Sequence, residues 1–392
     1  MFTTLRKPKL LKIYLIPLFS VLLGTMTQSI AVLYVFELGG STFEVNLIST
    51  VRSSMGILLI VPFGILSDRF GRKPMVLYPR IIQFVGIVVY AFAAHPNHLL
   101  IASIVGGFAG GAFFPVLLSM IGDLSETENR QEAISTFFFF SSIGMLSGPT
   151  ITSLLLTFPQ IMLRNIYQIV LVGQIFFFIY LFTQIKETKP RTVKKQKIDY
   201  KNVISNLFKK RNFQSLILMG FLYFFYNTII QTYIPIYARV DLKFSDAEIA
   251  SLSIFRNLAV MLIRLTGATF LAKVSMKRFL LIAITLGGIN SLVIPLNSTY
   301  LPMVLSIFLA GLSYGAVMSL GSTLISISST LENRGVANSV YMASNGMGRI
   351  VNMVTTPIAE TYGNAAIFLV GSVCALGALI PTLLYKIKKS LR

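Results

Sequence analysis

Twelve stretches of about twenty or more mostly apolar residues follow one another along the 392-residue chain, each long enough to cross a hydrocarbon layer about 30 Å thick. Their limits are 11–35, 45–67, 75–94, 98–122, 131–157, 163–184, 214–238, 247–272, 277–296, 299–325, 336–361 and 364–385. With 54% hydrophobic and only 12% charged residues, the chain lacks the polar material to coat a soluble core of this size. The expected fold class is therefore an all-α membrane protein of twelve transmembrane helices. The first stretch is too long for a signal-peptide core and lacks a clear small-residue cleavage site, so it reads as a retained helix.

The net charge of +20 is located once these spans are drawn. Of the 34 Lys and Arg, 26 fall in one set of compartments: Arg6 to Lys12, Arg69 to Lys73, Arg130, ten within residues 185–212, Lys273 to Arg278, Arg334 and Lys386 to Arg392. Three, Arg164, Arg239 and Lys243, fall in the other. The positive-inside rule predicts both termini and the 185–212 stretch in the cytoplasm. The basic stretch then needs no nucleic-acid partner, because it suits anionic lipid headgroups. One cysteine, Cys374, excludes an internal disulfide, and His95 and His98 in an outer loop are too few for a metal centre. No cofactor is expected.

The chain also repeats itself at an offset of 204 residues. Glu128-Asn129-Arg130 falls on Glu332-Asn333-Arg334, Gly107-x-x-x-Gly111 on Gly311-x-x-x-Gly315, and Glu44 and Arg52 on Glu248 and Arg256. Two parallel copies of a six-helix unit keep both ENR runs on one side. The expected domains are an N-terminal bundle over 1–184, a basic linker over 185–212 and a C-terminal bundle over 213–392. Gly311-Leu312-Ser313-Tyr314-Gly315 fits a hydrolase elbow pattern, but its place in an apolar span makes the glycines packing residues, and no enzyme is expected.

Between the second and third spans runs Gly64-Ile65-Leu66-Ser67-Asp68-Arg69-Phe70-Gly71-Arg72-Lys73-Pro74. This run resembles the signature of the major facilitator superfamily at nearly every defining position. In the fifth span, Gly144-x-x-x-Gly148-Pro149 resembles in part the antiporter motif of that superfamily's drug-efflux branches; Thr152 and Ser135 stand where the motif has glycine. The resemblance implies two pseudo-symmetric bundles rocking about a central site. It implies a gate of Gly64, Asp68, Arg69, Gly71, Arg72, Lys73 and Arg130, with Arg72 pairing Asp123. Gly107, Gly111, Gly144, Gly148, Pro149, Gly311 and Gly315 are expected to pack helices. The stretch around Lys273 to Arg278 keeps basic residues but lacks the acid and the glycine, so the gate is expected on one half only.

Five arginines, Arg52, Arg80, Arg256, Arg264 and Arg349, lie within spans, where a cation costs about 2.5–3.5 kcal/mol and must face protein or water. None of the fourteen acids lies mid-span, and Ser103 stands where many proton-coupled relatives carry arginine, so no proton carrier is evident at the midplane. Arg80 is expected to snorkel to the inner headgroups, and Arg52 and Arg256 either pair with outer acids such as Glu37 or Glu248 or meet substrate. Arg349, placed near the middle of span 11, is the leading substrate contact, joined by Arg256 and Arg52. The resemblance further implies that Gln28, Tyr226, Asn227, Gln231 and Tyr314 lie near the pathway. Three readings stay open: efflux of an amphipathic drug-like compound or metabolite, uptake or exchange of an organic or inorganic anion, and a membrane receptor on the same fold. The expected partners are a small-molecule substrate, a coupling proton or counter-substrate, and the bilayer, in the plasma membrane.

Overall fold

In the computed structural model, residues 7–110, 113–125, 129–188, 200–271, 275–329 and 334–385 are described, with the backbone alone at 9, 57–69, 108–110, 114–115, 130–131, 200–201, 267–271, 334–335 and 351. Seventeen helices follow in order: α1 (Pro8–Gln28), α2 (Ala31–Glu37), α3 (Thr42–Phe70), α4 (Arg72–Ala91), α5 (Pro96–Gly110), α6 (Phe113–Leu124), α7 (Arg130–Leu155), α8 (Leu163–Gln184), α9 (Tyr200–Phe208), α10 (Arg211–Val240), α11 (Asp246–Leu271), α12 (Met276–Val293), α13 (Tyr300–Ser328), α14 (Arg334–Val351), α15 (Thr355–Tyr362), α16 (Asn364–Gly377) and α17 (Leu379–Leu384). No strand occurs among the described residues. Nine helical stretches among them are long and apolar enough to cross a membrane. The other three spans fall on α3, on α5 with α6, and on α14 with α15. Large apolar side chains such as Phe176, Leu301, Leu369 and Ile380 are exposed, as lipid-facing positions require.

Prolines set the breaks within spans. α14 gives way to a 3-10 turn at Asn352–Val354 just before Pro357, whose ring would meet the carbonyl of Met353 in a continuous α-helix. Pro381 divides α16 from α17 in the same way, and Pro295 lies in the 3-10 turn Ile294–Leu296 that ends α12.

The 204-residue repeat is carried into the element boundaries. Thr42 and Asp246 open α3 and α11, Arg72 and Met276 open α4 and α12, Pro96 and Tyr300 open α5 and α13, and Arg130 and Arg334 open α7 and α14. Each pair differs by 204. The starts of α3 and α11 use one device twice: Glu44 accepts from the backbone N–H and hydroxyl of Ser41, at 2.7 and 3.1 Å, and Glu248 does the same for Ser245, at 2.8 and 2.7 Å. These are reciprocal capping boxes that satisfy donors a helix start leaves open.

The helices gather into two compact units, one of Met1–Lys194 with Ser245–Ser251, the other of Lys195–Phe244 with Leu252–Arg392. In the first, α1 packs along α7, and α4 packs against α5 and α8. In the second, α10 is central and touches α13, α14 and α16, which buries Tyr223, Phe224, Tyr226 and Tyr233.

Candidate functional site

Gly71 joins α3 to α4 with φ of +105°, a conformation that a side chain disfavours. A Cβ there would also strike the Glu187 carboxylate. That carboxylate accepts the backbone N–H of Arg72 at 2.9 Å and of Lys73 at 3.1 Å, so it caps α4 at the positive end of its dipole. Arg72 Nε lies 3.5 Å from Asp123 Oδ2, and the Thr188 hydroxyl donates to the same oxygen at 3.3 Å. The end of α6, the start of α4 and the segment after α8 thus meet at one polar knot. Glu187 was not among the sequence candidates; its signal was an acid in a basic run, directly after a membrane span. The side chains of Asp68, Arg69 and Arg130, the surroundings of Gly64, and Gly111 itself lie outside the described residues.

The matching place in the second unit is built with the opposite charge. Ser275 replaces Gly71, with φ of −61°, and Lys277, the counterpart of Lys73, donates to the carbonyls of Leu383 at 2.7 Å and Tyr385 at 2.8 Å. The Lys277 ammonium thus complements the negative end of α17, whereas in the first unit the Glu187 carboxylate complements the positive end of α4.

Gly144 and Gly148 lie where α7 crosses α1. A Cβ on Gly144 would strike the Leu18 carbonyl, and one on Gly148 the Thr25 hydroxyl and the Leu22 carbonyl. The close approach brings polar groups together: Thr152 Oγ1 donates to the Met26 carbonyl at 3.2 Å, and Thr25 Oγ1, 2.8 Å from the Val21 carbonyl of its own helix, also lies 3.2 Å from that of Gly144. Pro149 lies within α7 one residue on. Gly107 and Gly311 play one part in both halves, since a Cβ would come 2.7 Å from the Arg52 carbonyl and 2.5 Å from that of Arg256. Gly315 backs onto Val260.

The intramembrane arginines separate. Arg80 does not snorkel: it is only 7% exposed, donates to Ser20 and Gln83, and lies 3.5 Å over the ring of Phe113 with Phe177 at 5.7 Å. Helices α1, α6 and α8 close over it, which removes the route to the headgroups. Arg52 and Arg264 are exposed. Arg349 is half-buried but stands in the last turn of α14, two residues before the helix breaks, rather than in the middle of a continuous helix. Ser103 bonds Tyr90 at 2.5 Å, and Tyr90 stacks on Tyr167.

Arg256 is the centre of a polar group in the second unit. Its Nη2 donates to Asn227 Oδ1 at 2.9 Å, and its guanidinium carbon lies 4.8 Å from the centre of the Tyr314 ring. Arg256 Nε, Asn227 Nδ2 and Tyr226 Oη are buried without a hydrogen-bond partner. Tyr226 is wedged between Gly287 and Gly371, and Tyr223 beside it bonds Ser313. Gln231 is half-buried on the same helix, and Gln28 is exposed at the end of α1. Of the sequence candidates, the structure brings together Arg256, Asn227, Tyr226 and Tyr314.

The sequence matches the family model of the Major Facilitator Superfamily over residues 13–296 and 216–392. Among curated proteins it is 30% identical over 145 residues to an uncharacterized transporter of Buchnera aphidicola subsp. Schizaphis graminum, covering 36% of this chain and 37% of that protein. It is 31% identical over 121 residues to the bacillibactin exporter of Bacillus subtilis, covering 30% of each chain. The matched stretch spans about a third of these relatives' length. Among solved structures, the nucleoside transporter NupG superposes with a TM-score of 0.80 at 16% identity, covering 97% of this chain and 100% of the other.

Proposed function

The chain belongs to the major facilitator superfamily, and we propose that it is a secondary active transporter that exports an amphipathic small molecule by alternating access. The observation that carries the reading is the knot of Arg72, Asp123, Glu187 and Thr188 at the turn between α3 and α4. Exposed ion pairs are worth about 0–1 kcal/mol, so such a knot can part and re-form for little free energy, as a gate must. A receptor that never moved its ligand would have no use for it.

Support for export comes from the glycine-lined crossing of α7 on α1, and from one relative that is named an exporter. In this reading both termini and the basic 185–212 linker are cytoplasmic, the linker spaces the two bundles, and the membrane is the plasma membrane. The test is uptake of a lipophilic fluorescent dye panel into inside-out vesicles. Wild-type protein should concentrate at least one dye and Arg72→Gln should not; equal uptake by wild-type and empty vesicles across the panel would remove the export reading. Collapsing the pH gradient in the same vesicles separates proton coupling, which would stop, from exchange, which would persist.

A second reading, uptake or exchange of an anion, is favoured by Arg256, a shielded cation with no ion-pair partner among the described residues. Right-side-out vesicles distinguish it, since uptake of a labelled anion there would be driven by counter-anion rather than by export of dye.

A further inference from the structure

We infer that Arg256 and Asn227 form the seat for a carboxylate carried by an otherwise apolar substrate. The inference deepens the transport reading by naming the head group that the second unit recognises.

The geometry starts from the one bond the two residues share. Arg256 has only donors, so the Asn227 atom facing its Nη2 must be the amide oxygen, and the amide NH2 is turned elsewhere. That NH2 and Arg256 Nε are both buried and both without a partner. Two side chains already in contact thus each keep one buried donor open. The guanidinium carbon lies 4.8 Å from the centre of the Tyr314 ring, and because the N–H groups of a guanidinium lie in its plane, a further partner must approach along the edge that carries the open Nε. A group with two coplanar acceptor oxygens matches that edge, and a carboxylate also supplies the missing negative charge.

Among the described residues, no carboxylate pairs with Arg256. Glu248 is eight residues earlier on α11, about 12 Å along the axis, and is committed to Ser245. Asp241 is engaged by Asn364 at 2.9 Å, beyond the end of α10. The surroundings are apolar and aromatic, with Tyr223, Phe224 and Tyr226 buried on α10. The seat belongs to the second half alone. At the 204-residue offset, Tyr226 and Asn227 become Leu22 and Leu23, Tyr314 becomes Gly110, and Arg52 is exposed. The repeat supplied an arginine twice, and only one copy acquired the companions of a recognition site.

The test is binding to full-length protein in lipid nanodiscs, read as a thermal shift, with 1-naphthoate against its neutral isostere 1-naphthamide. Naphthoate should bind at least about tenfold tighter than the amide. Arg256→Gln should erase that preference, and so should Arg256→Lys, which keeps the charge but loses the planar edge. Asn227→Asp should abolish naphthoate binding while raising the melting temperature of the ligand-free protein, because the new acid pairs with Arg256 internally. That gain reports correct folding where a loss of binding alone would not. Equal binding of acid and amide, no binding of naphthoate, equal binding of inorganic phosphate, or unchanged preference in Arg256→Gln would each overturn the inference. If naphthoate fails while dye export in vesicles persists, this head-group assignment falls and the export reading stands; the converse result leaves the seat and removes export.

Discussion

Arg72 Nε and Asp123 Oδ2 lie 3.5 Å apart, joining the first turn of α4 to the last turn of α6 across 51 residues of sequence. The contact is long for a hydrogen bond and its acceptor is shared with Thr188, so the pair holds position more than it adds stability. Glu187 has a different part: it accepts two backbone N–H groups at the start of α4, and these bonds do not depend on whether Arg72 releases Asp123.

Neutralising the pair should therefore separate transport from stability. Arg72→Gln and Asp123→Asn are each expected to lower vesicle transport several-fold while moving unfolding stability by no more than about 1 kcal/mol. The exchange Arg72→Asp with Asp123→Arg should recover part of the activity. Proportionate losses of transport and stability would count against the gate.

At Gly71 the expectation reverses. Gly71→Ala meets both the positive φ and the Glu187 carboxylate, and a backbone with φ of +105° and ψ of 169°, a region essentially confined to glycine, alone costs about 1–3 kcal/mol. Adding Glu187→Ala should relieve the collision but not the backbone strain, and it forfeits about 0.3–1 kcal/mol of cap and dipole interaction. A double-mutant cycle on thermal stability should then show clear non-additivity. Additive losses would mean that Glu187 does not occupy the place a Cβ needs.

The periodic parts of this architecture were legible in the sequence, and the reasons are physical. Twelve apolar runs gave the spans because a bilayer sets one length for every helix. The offset of 204 reappears as the starts of α3 and α11, α4 and α12, α5 and α13, and α7 and α14, because caps and breakers are local. Local rules also explain what shifted: the Pro357 break puts Arg349 at a helix end. What composition could not convey was which helices close over a given side chain. Arg80 is long enough to reach headgroups, and only the positions of Phe113 on α6 and Phe177 on α8 decide that it does not. Glu187 was hidden by its ten basic neighbours, since the α4 backbone groups it caps lie more than a hundred residues away.

Glycines on one helix pair give opposite expectations. At Gly148 an added methyl meets the Thr25 hydroxyl and the α1 backbone at Leu22 and Met26, and the backbone cannot move without shifting the helix, so Gly148→Ala should cost about 1–3 kcal/mol. At Gly24, inside α1, nothing lies within 4 Å of an added Cβ. Gly24→Ala should instead stabilise by about 0.5–1 kcal/mol through helix propensity. Thermal unfolding of the two variants side by side checks the packing of α1 on α7, and equal effects would contradict it.

The burial of Arg80 makes the sharpest stability prediction. Its guanidinium is planar against Phe113 and donates in its own plane to Ser20 and Gln83, a geometry a tetrahedral ammonium cannot copy. Arg80→Lys should then lose most of what the arginine supplies despite keeping the charge, and it should be worse than Arg80→Met, which removes the charge but keeps an apolar stem. A buried cation without matched partners costs about 3–5 kcal/mol, whereas a well-packed apolar replacement of a buried polar group is often nearly neutral. If Arg80 reached the headgroups, the order would invert, because lysine snorkels as well as arginine and methionine would strand the helix end. Chemical denaturation of the three proteins in detergent reads the order directly, and Lys above Met would restore the snorkelling reading that burial at 7% exposure argues against.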